Sequence, residues 1–164
     1  MYRVRVHAPG PKSDPPRRPW HFWAVAAAVF ALYVGGSRDY LLILAQDTTY
    51  IEAQFGPGGL AYFRDYPLGL RIVWTTNIVA GLVAPVLLVA GDARAVHVAI
   101  TAAAAQLVLL PLTFALRDRW AALGAATSWF DIGVGVVTAL FAGYCWAMAR
   151  RGHIGSALSR RHVR

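Results

Sequence analysis

Apolar residues in this chain gather in four long blocks, at residues 20–36, 68–90, 95–116 and 129–149. A helix rises ~1.5 Å per residue, so ~20 apolar residues cross a ~30 Å hydrocarbon layer. The last three blocks hold 21 to 23 residues and meet that length. The first holds 17 and stops at Ser37-Arg38-Asp39, but Leu41 to Ala45 restores the apolar character beyond it. One helix that crosses and then projects outward accounts for both parts. The pattern predicts an all-α integral membrane fold, a four-transmembrane-helix bundle with helices at about 20–45, 68–90, 95–116 and 129–149. Around them it places a proline-rich arm at 1–19, an outer loop at 46–67 and a basic tail at 150–164. Trp20 and Trp23 open the first block as interface anchors, and no small-residue cleavage site precedes a polar start. The first block is therefore expected to be an uncleaved helix rather than a signal peptide.

Composition supports that solvent. The 164 residues are 57% hydrophobic and 15% charged, against roughly 25% charged in an average soluble domain. Charge then sets the threading. Arg3, Arg5, Lys12, Arg17 and Arg18 precede the first helix; Arg94 links helices two and three; Arg150, Arg151, Arg160, Arg161 and Arg164 follow helix four. The other side carries Arg38, Arg64, Arg117 and Arg119, with Arg71 just inside helix two. Loops rich in Lys and Arg stay in the cytoplasm, so both ends are expected inside, as four crossings require. A bacterial inner membrane follows as the expected location. Residues 1–19 contain five prolines and no apolar period, which reads as a disordered arm. The net charge of +8 suits anionic headgroups, at ~1 kcal/mol per basic residue near the surface. The lipid bilayer is the expected partner. No folded module accompanies the arginines, so nucleic acid is not.

Ionisable groups inside a membrane are the first place to look for chemistry, because each costs ~2.5 kcal/mol or more at mid-bilayer. Here they fall at the outer helix ends, and Asp39, Arg71 and Asp131 form a candidate outer polar cluster. Deeper down, Asn77 and Gln106 are a candidate inter-helix contact, since amides in hydrocarbon need partners. Gly56-Pro57-Gly58-Gly59 is expected to break any helix in the outer loop, leaving Phe55, Tyr62 and Phe63 at the headgroup level. Asp131, Gly135, Ala139, Gly143 and Ala147 recur every fourth residue, and Ala27, Ala31 and Gly35 repeat the pattern on helix one. Small residues so spaced predict close helix contacts. Pro85 and Pro111 predict bends. His21 and His97 fall at similar depth near the inner end, and such a pair can hold haem or a metal ion. No spaced motif or carboxylate supports them, so they read as interface anchors and no metal or cofactor is expected. Cys145 alone makes no intrachain disulfide and reads as packing. GxSxG, Walker and HExxH motifs are missing, so no catalytic residue is assigned and no enzyme activity is expected.

Asp39-Tyr40-Leu41, Tyr50-Ile51-Glu52-Ala53-Gln54-Phe55, Leu60-Ala61-Tyr62-Phe63 and Pro67 together resemble the loop of a group of small bacterial four-helix membrane proteins. In that group an aromatic-rich segment of this kind joins the first two helices, and some members carry a generic sugar-transporter label. Arg38 ahead of the aspartate, Gly58-Gly59 in the turn and Thr75-Thr76-Asn77 in helix two depart from its pattern. The resemblance implies the four-helix fold and brings no catalytic residues. Two functions follow as expectations. The first is an interaction or assembly unit, self-associating as a homo-oligomer or attached to a larger membrane partner. The alternative is a transporter or oligomeric channel for a small polar solute. Threading itself is testable. Reporter fusions at Phe55 and at the C-terminus should report opposite sides, and a periplasmic C-terminus would reverse the charge argument.

Overall fold

The computed structural model describes residues 19–155, so the reading of residues 1–19 as a disordered arm lies almost wholly outside the described residues. Six helices make up the described chain: α1 (Trp20–Leu44), α2 (Thr48–Phe55), α3 (Pro57–Arg64), α4 (Leu68–Ala90), α5 (Arg94–Leu116) and α6 (Arg119–Arg150). Four of them, α1, α4, α5 and α6, are long and apolar enough to cross a membrane. Their outward faces stay apolar: Leu107 and Leu140 are 60% and 69% exposed. Such a surface is compatible with apolar surroundings.

Helices α4 and α5 pack along each other most closely, α5 packs on α6, and α1 packs on α4. A tight turn joins α4 to α5. Gly91 ends α4 at φ 77°, and the amides of Gly91 and Asp92 return to the carbonyls of Leu88 and Leu87. Only glycine adopts that left-handed cap without a Cβ penalty. The remaining pair, α1 and α6, touches sparsely. It is joined by hydrogen bonds from His21 Nδ1 to the Tyr144 hydroxyl (2.8 Å) and between the Tyr33 and Thr138 hydroxyls (2.9 Å). Toward the end covered by α2 and α3, called here the capped end, the two helices separate.

The segment 46–67 corrects the sequence expectation. It is two short helices rather than a loop without helix. Asp47 caps α2 by accepting from the Tyr50 amide at 2.9 Å, and Pro57 occupies the first turn of α3, where a missing N–H costs little. The break is confined to Gly56, at φ 69° and ψ −172°. Gly58 and Gly59 lie inside α3, where a Cβ would strike the Ala122 carbonyl and the Phe55 side chain. These glycines permit close packing instead of ending a helix. Tyr62 and Phe63 are correspondingly buried at 4% and 1% exposure, packed with Ile43, Ile51, Leu70 and Leu123; Phe55 is half-buried beside them. They are core of the cap, not headgroup anchors.

Helix α6 also exceeds expectation, starting at Arg119 instead of near residue 129. Gly124, at φ 80° and ψ 171°, interrupts it and lets the first turn fold back. The small-residue faces pack only in part within the chain. Gly135 is buried against Leu110 within the chain, but Ala139 and Gly143 are exposed, as are Ala27, Ala31 and Gly35. Strict four-residue spacing drifts ~40° per step around a helix of ~3.6 residues per turn, so such a stripe leaves the buried face. The closest α1–α4 approach uses Gly81 instead, where a Cβ would overlap the Tyr33 ring. Gly81→Ala should therefore cost ~1–3 kcal/mol by overpacking. Gly35→Ala, with open space at its Cβ, should be neutral or stabilising by up to ~1 kcal/mol from helix propensity. Thermal melts in mild detergent compare the two.

Candidate functional site

Between the separated ends of α1 and α6 lies a cavity of about 620 Å³. Its back wall is α4 and α5, through Trp74, Asn77, Ile78, Gln106, Leu109 and Thr113. Its roof is the cap, through Gln54, Phe55, Phe63 and Tyr66. Gly35, Gly36, Arg38 and Asp39 edge it on α1; Ala126, Thr127, Phe130 and Asp131 edge it on α6. The volume falls in the ~300–1,000 Å³ range of small-molecule sites, and the mixture of aromatic walls with a few polar groups is typical of them.

The floor is a polar node. The Asn77 amide donates to the Ala102 carbonyl at 2.9 Å and to the Tyr33 hydroxyl at 3.3 Å. Tyr33 continues to Thr138, which donates to the Val134 carbonyl at 2.8 Å. Thus α1, α4, α5 and α6 are joined through one tyrosine hydroxyl. The expected side-chain bond between Asn77 and Gln106 is not made. Ala102 and Ala103 bring the α5 backbone within reach of the short asparagine, and a carbonyl accepts in place of the glutamine. Gln106 is 6% exposed, lines the cavity, and has no hydrogen-bond partner among the described residues. The buried side-chain nitrogens without a partner among the described residues are Arg117 Nε and His153 Nδ1; the Gln106 amide is not among them, being open to the cavity.

The polar cluster is regrouped. Asp39 and Asp131 both line the cavity, whereas Arg71 does not. Arg71 makes only a long 3.4 Å contact to the Tyr66 carbonyl, beside the small crevice bounded by Tyr40 and Gln46. The partner of Asp131 is Arg119, through both Nε and Nη2, with 11% and 21% side-chain exposure for the arginine and aspartate. In an unbroken helix these residues would stand ~18 Å apart along the axis, at ~1.5 Å per residue. The turn at Gly124 brings them together. Arg119 also stands 5.6 Å from the Tyr62 ring centre, and Arg117 donates to the Tyr62 and Asp65 carbonyls while lying 5.1 Å over the same ring. Two arginines that read as loop charges are thus the bolts of the cap.

Asp39 accepts from the Tyr50 hydroxyl at 2.6 Å and pairs loosely with Arg38 at 3.7 Å, tying α1 to α2. Burial, and secondarily the hydrogen bond to the Asp39 carboxylate, push the Tyr50 phenol up to about 12. Tyr50 therefore keeps its proton and remains the donor across the neutral range. Burial also raises Tyr66 well above the ordinary phenol value. His21 is engaged by Tyr144 and His97 is exposed, so the two histidines are occupied separately. Among the described residues no three His, Cys, Asp or Glu side chains are grouped to share a metal ion. Cys145 is buried in the core of the opposite end, with Phe22 and Met148.

The regrouping moves the neutralisation of Asp131 from Arg71 to Arg119. Arg119→Ala strands Asp131 and should destabilise by ~3 kcal/mol, the low end for breaking a buried pair. Arg71→Ala should cost no more than ~1 kcal/mol. Thermal melts of the two variants measure this, and equal losses would remove Arg119 from its place at the centre of the cap.

Comparison with protein-family models, curated proteins and solved structures returns no match for this chain.

Proposed function

We propose that the chain is a multi-pass membrane carrier that binds a small uncharged molecule inside its helical bundle. One observation carries this reading: the 620 Å³ cavity, with the amide of Gln106 on its wall and no hydrogen-bond partner for it among the described residues. The charged groups around the cavity occur as the pairs Arg38–Asp39 and Arg119–Asp131. Each pair is internally neutral, so an ionic ligand would meet no spare counter-charge. Trp74, Phe63 and Tyr66 add flat apolar surface suited to a hydrocarbon or ring face. The charge distribution supports placing both chain ends on the cytoplasmic side of a bacterial inner membrane, with the cap outside.

Assembly is the second reading. Gly143 lies on the exposed face of α6 with nothing within 4 Å of its Cβ position, so a neighbouring helix could approach there. The first reading ranks higher because a cavity with an unmet amide calls for an occupant, whereas an open glycine is satisfied by lipid.

The test is ligand-induced stabilisation in nanodiscs across a panel of uncharged, hydrogen-bonding small molecules. A true ligand at ~100 times its Kd stabilises by ~2.7 kcal/mol. Val134→Trp, which fills the cavity, should lose that response while retaining its helical circular dichroism. Silence from the whole panel would put assembly first, to be followed by oligomer size in Gly143→Leu.

A further inference from the structure

The cavity has an unusual opening. Its α4 and α5 wall is built from buried residues, including Asn77, Ile78, Gln106 and Leu109. Its edges on α1 and α6 are exposed: Ala31, Gly35 and Arg38 on one side, Ala126 and Phe130 on the other. From Ala31 to Arg38 the exposed edge on α1 covers seven residue steps, so the opening runs ~10 Å along the helix at ~1.5 Å per residue. A mouth toward water alone would stop at the level of the cap. This one runs along the flank of two candidate membrane spans, past the small side chains of Ala31, Gly35 and Ala126. Gly35 has nothing within 4 Å of where a Cβ would be.

We infer that the α1–α6 gap is a lateral opening to the lipid phase, and that the cavity takes a neutral amphipath: a hydroxyl- or carbonyl-bearing head on Gln106 and an apolar chain leading out through the gap. This rests on the binding reading above and assigns its ligand class and route. The head is specified by the glutamine, whose amide both donates and accepts. Its neutrality follows from the two internally paired carboxylates. The chain is specified by the gap, which passes Phe130 and Ala31 and offers no polar group between Gly35 and Gly36 and the cavity floor on α1 other than the engaged Tyr33 hydroxyl. A wholly polar solute would leave this flank unfilled. A wholly apolar one would leave Gln106 unpaired.

Monooleoylglycerol is the probe, compared with glycerol as the head alone and oleate as a charged head on the same chain. The full chain is reconstituted in nanodiscs, and bound probe is read by native mass spectrometry after release into mild detergent, with thermal stability as a second measure. Monooleoylglycerol should be retained at one copy per chain, and glycerol and oleate should not. Gln106→Leu, similar in size, should weaken retention ~3- to 10-fold, as for one lost neutral hydrogen bond; Gln106→Met repeats the test should the first variant fold poorly. Gly35→Trp, at an exposed edge of the gap, should slow or abolish loading. Leu140→Trp, exposed on the same helix as Phe130 but outside the cavity lining, should leave it unchanged. Several outcomes overturn the inference. Equal retention by Gln106→Leu and Gly35→Trp would place the lipid elsewhere on the apolar surface. Oleate bound as well as monooleoylglycerol would remove the neutral-head requirement. Stabilisation by glycerol or another water-soluble neutral molecule, without retention of monooleoylglycerol, would keep the binding reading and overturn the lipid route. No stabilisation by any probe would overturn both.

Discussion

The Tyr33 hydroxyl is the point on which the interior depends. It accepts from Asn77 on α4 and donates to Thr138 on α6, whose own proton goes to the Val134 carbonyl, and Asn77 in turn reaches the α5 backbone. Helices α1 and α6 have little direct packing of their own, so this bond and the His21–Tyr144 bond define where they stay together. Toward the terminal end the packing of Phe22, Ala26, Phe141 and Met148 closes the pair. Above Tyr33 nothing closes it. The cavity is thus a consequence of where the side-chain ties stop. Individual hydrogen bonds between such helices are weak, ~0.6 kcal/mol on average, but the Tyr33 hydroxyl holds two of them at once, to Asn77 and to Thr138. Gly81 belongs to the same constraint, because only a residue without Cβ leaves room for the ring that carries the hydroxyl.

At the other end the roof is held by charge. Arg117 and Arg119 both converge on Tyr62, one on its carbonyl and both on its ring. Asp131 neutralises Arg119 from α6, and Tyr50 with Asp39 closes the α1 side. Tyr62 is thereby tied to the start of α6 and Tyr50 to α1. Cation–π contacts strengthen when desolvated, to ~2 kcal/mol or more against ~0.5–1 kcal/mol at exposed sites, and Tyr62 is buried. The arginines therefore do more here than add basic charge to the loops.

Much of the fold was legible in the chain. Uninterrupted apolar length was enough for the four long helices, because that signal depends on composition and on no partner. The cap was not legible. Gly56-Pro57-Gly58-Gly59 looks like a breaker by residue type, and whether a glycine ends a helix or lets one pack is decided by a neighbour, here Ala122. The site was legible in kind and misread in pairing. Asp131 needed a cation and Asn77 needed a partner, as desolvation demands, but sequence spacing favoured Arg71 and Gln106. The actual partners depend on a turn at Gly124 and on a backbone carbonyl exposed by alanines on α5. Neither has a signature of its own. The mismatch at Gln106 was the informative one, since an amide without its expected partner is what distinguishes a binding wall from a packing contact.

That distinction also bears on why the cavity persists. A void between apolar helices would ordinarily be filled by a side-chain shift or by lipid, because an empty space forfeits dispersion contacts on its walls. Here collapse would require α1 to slide toward α6, and three restraints oppose it. Tyr33 holds the floor at Thr138, Tyr50 holds the upper part of α1 to α2, and Arg119 holds Asp131 under the roof. Closing the gap by one helix movement would break a hydrogen bond at one level to gain packing at another. Filling it with a molecule breaks none of them and supplies Gln106 with a partner. The same ties that leave the bundle open therefore favour an occupant over collapse, which is the physical link between this fold and a binding function.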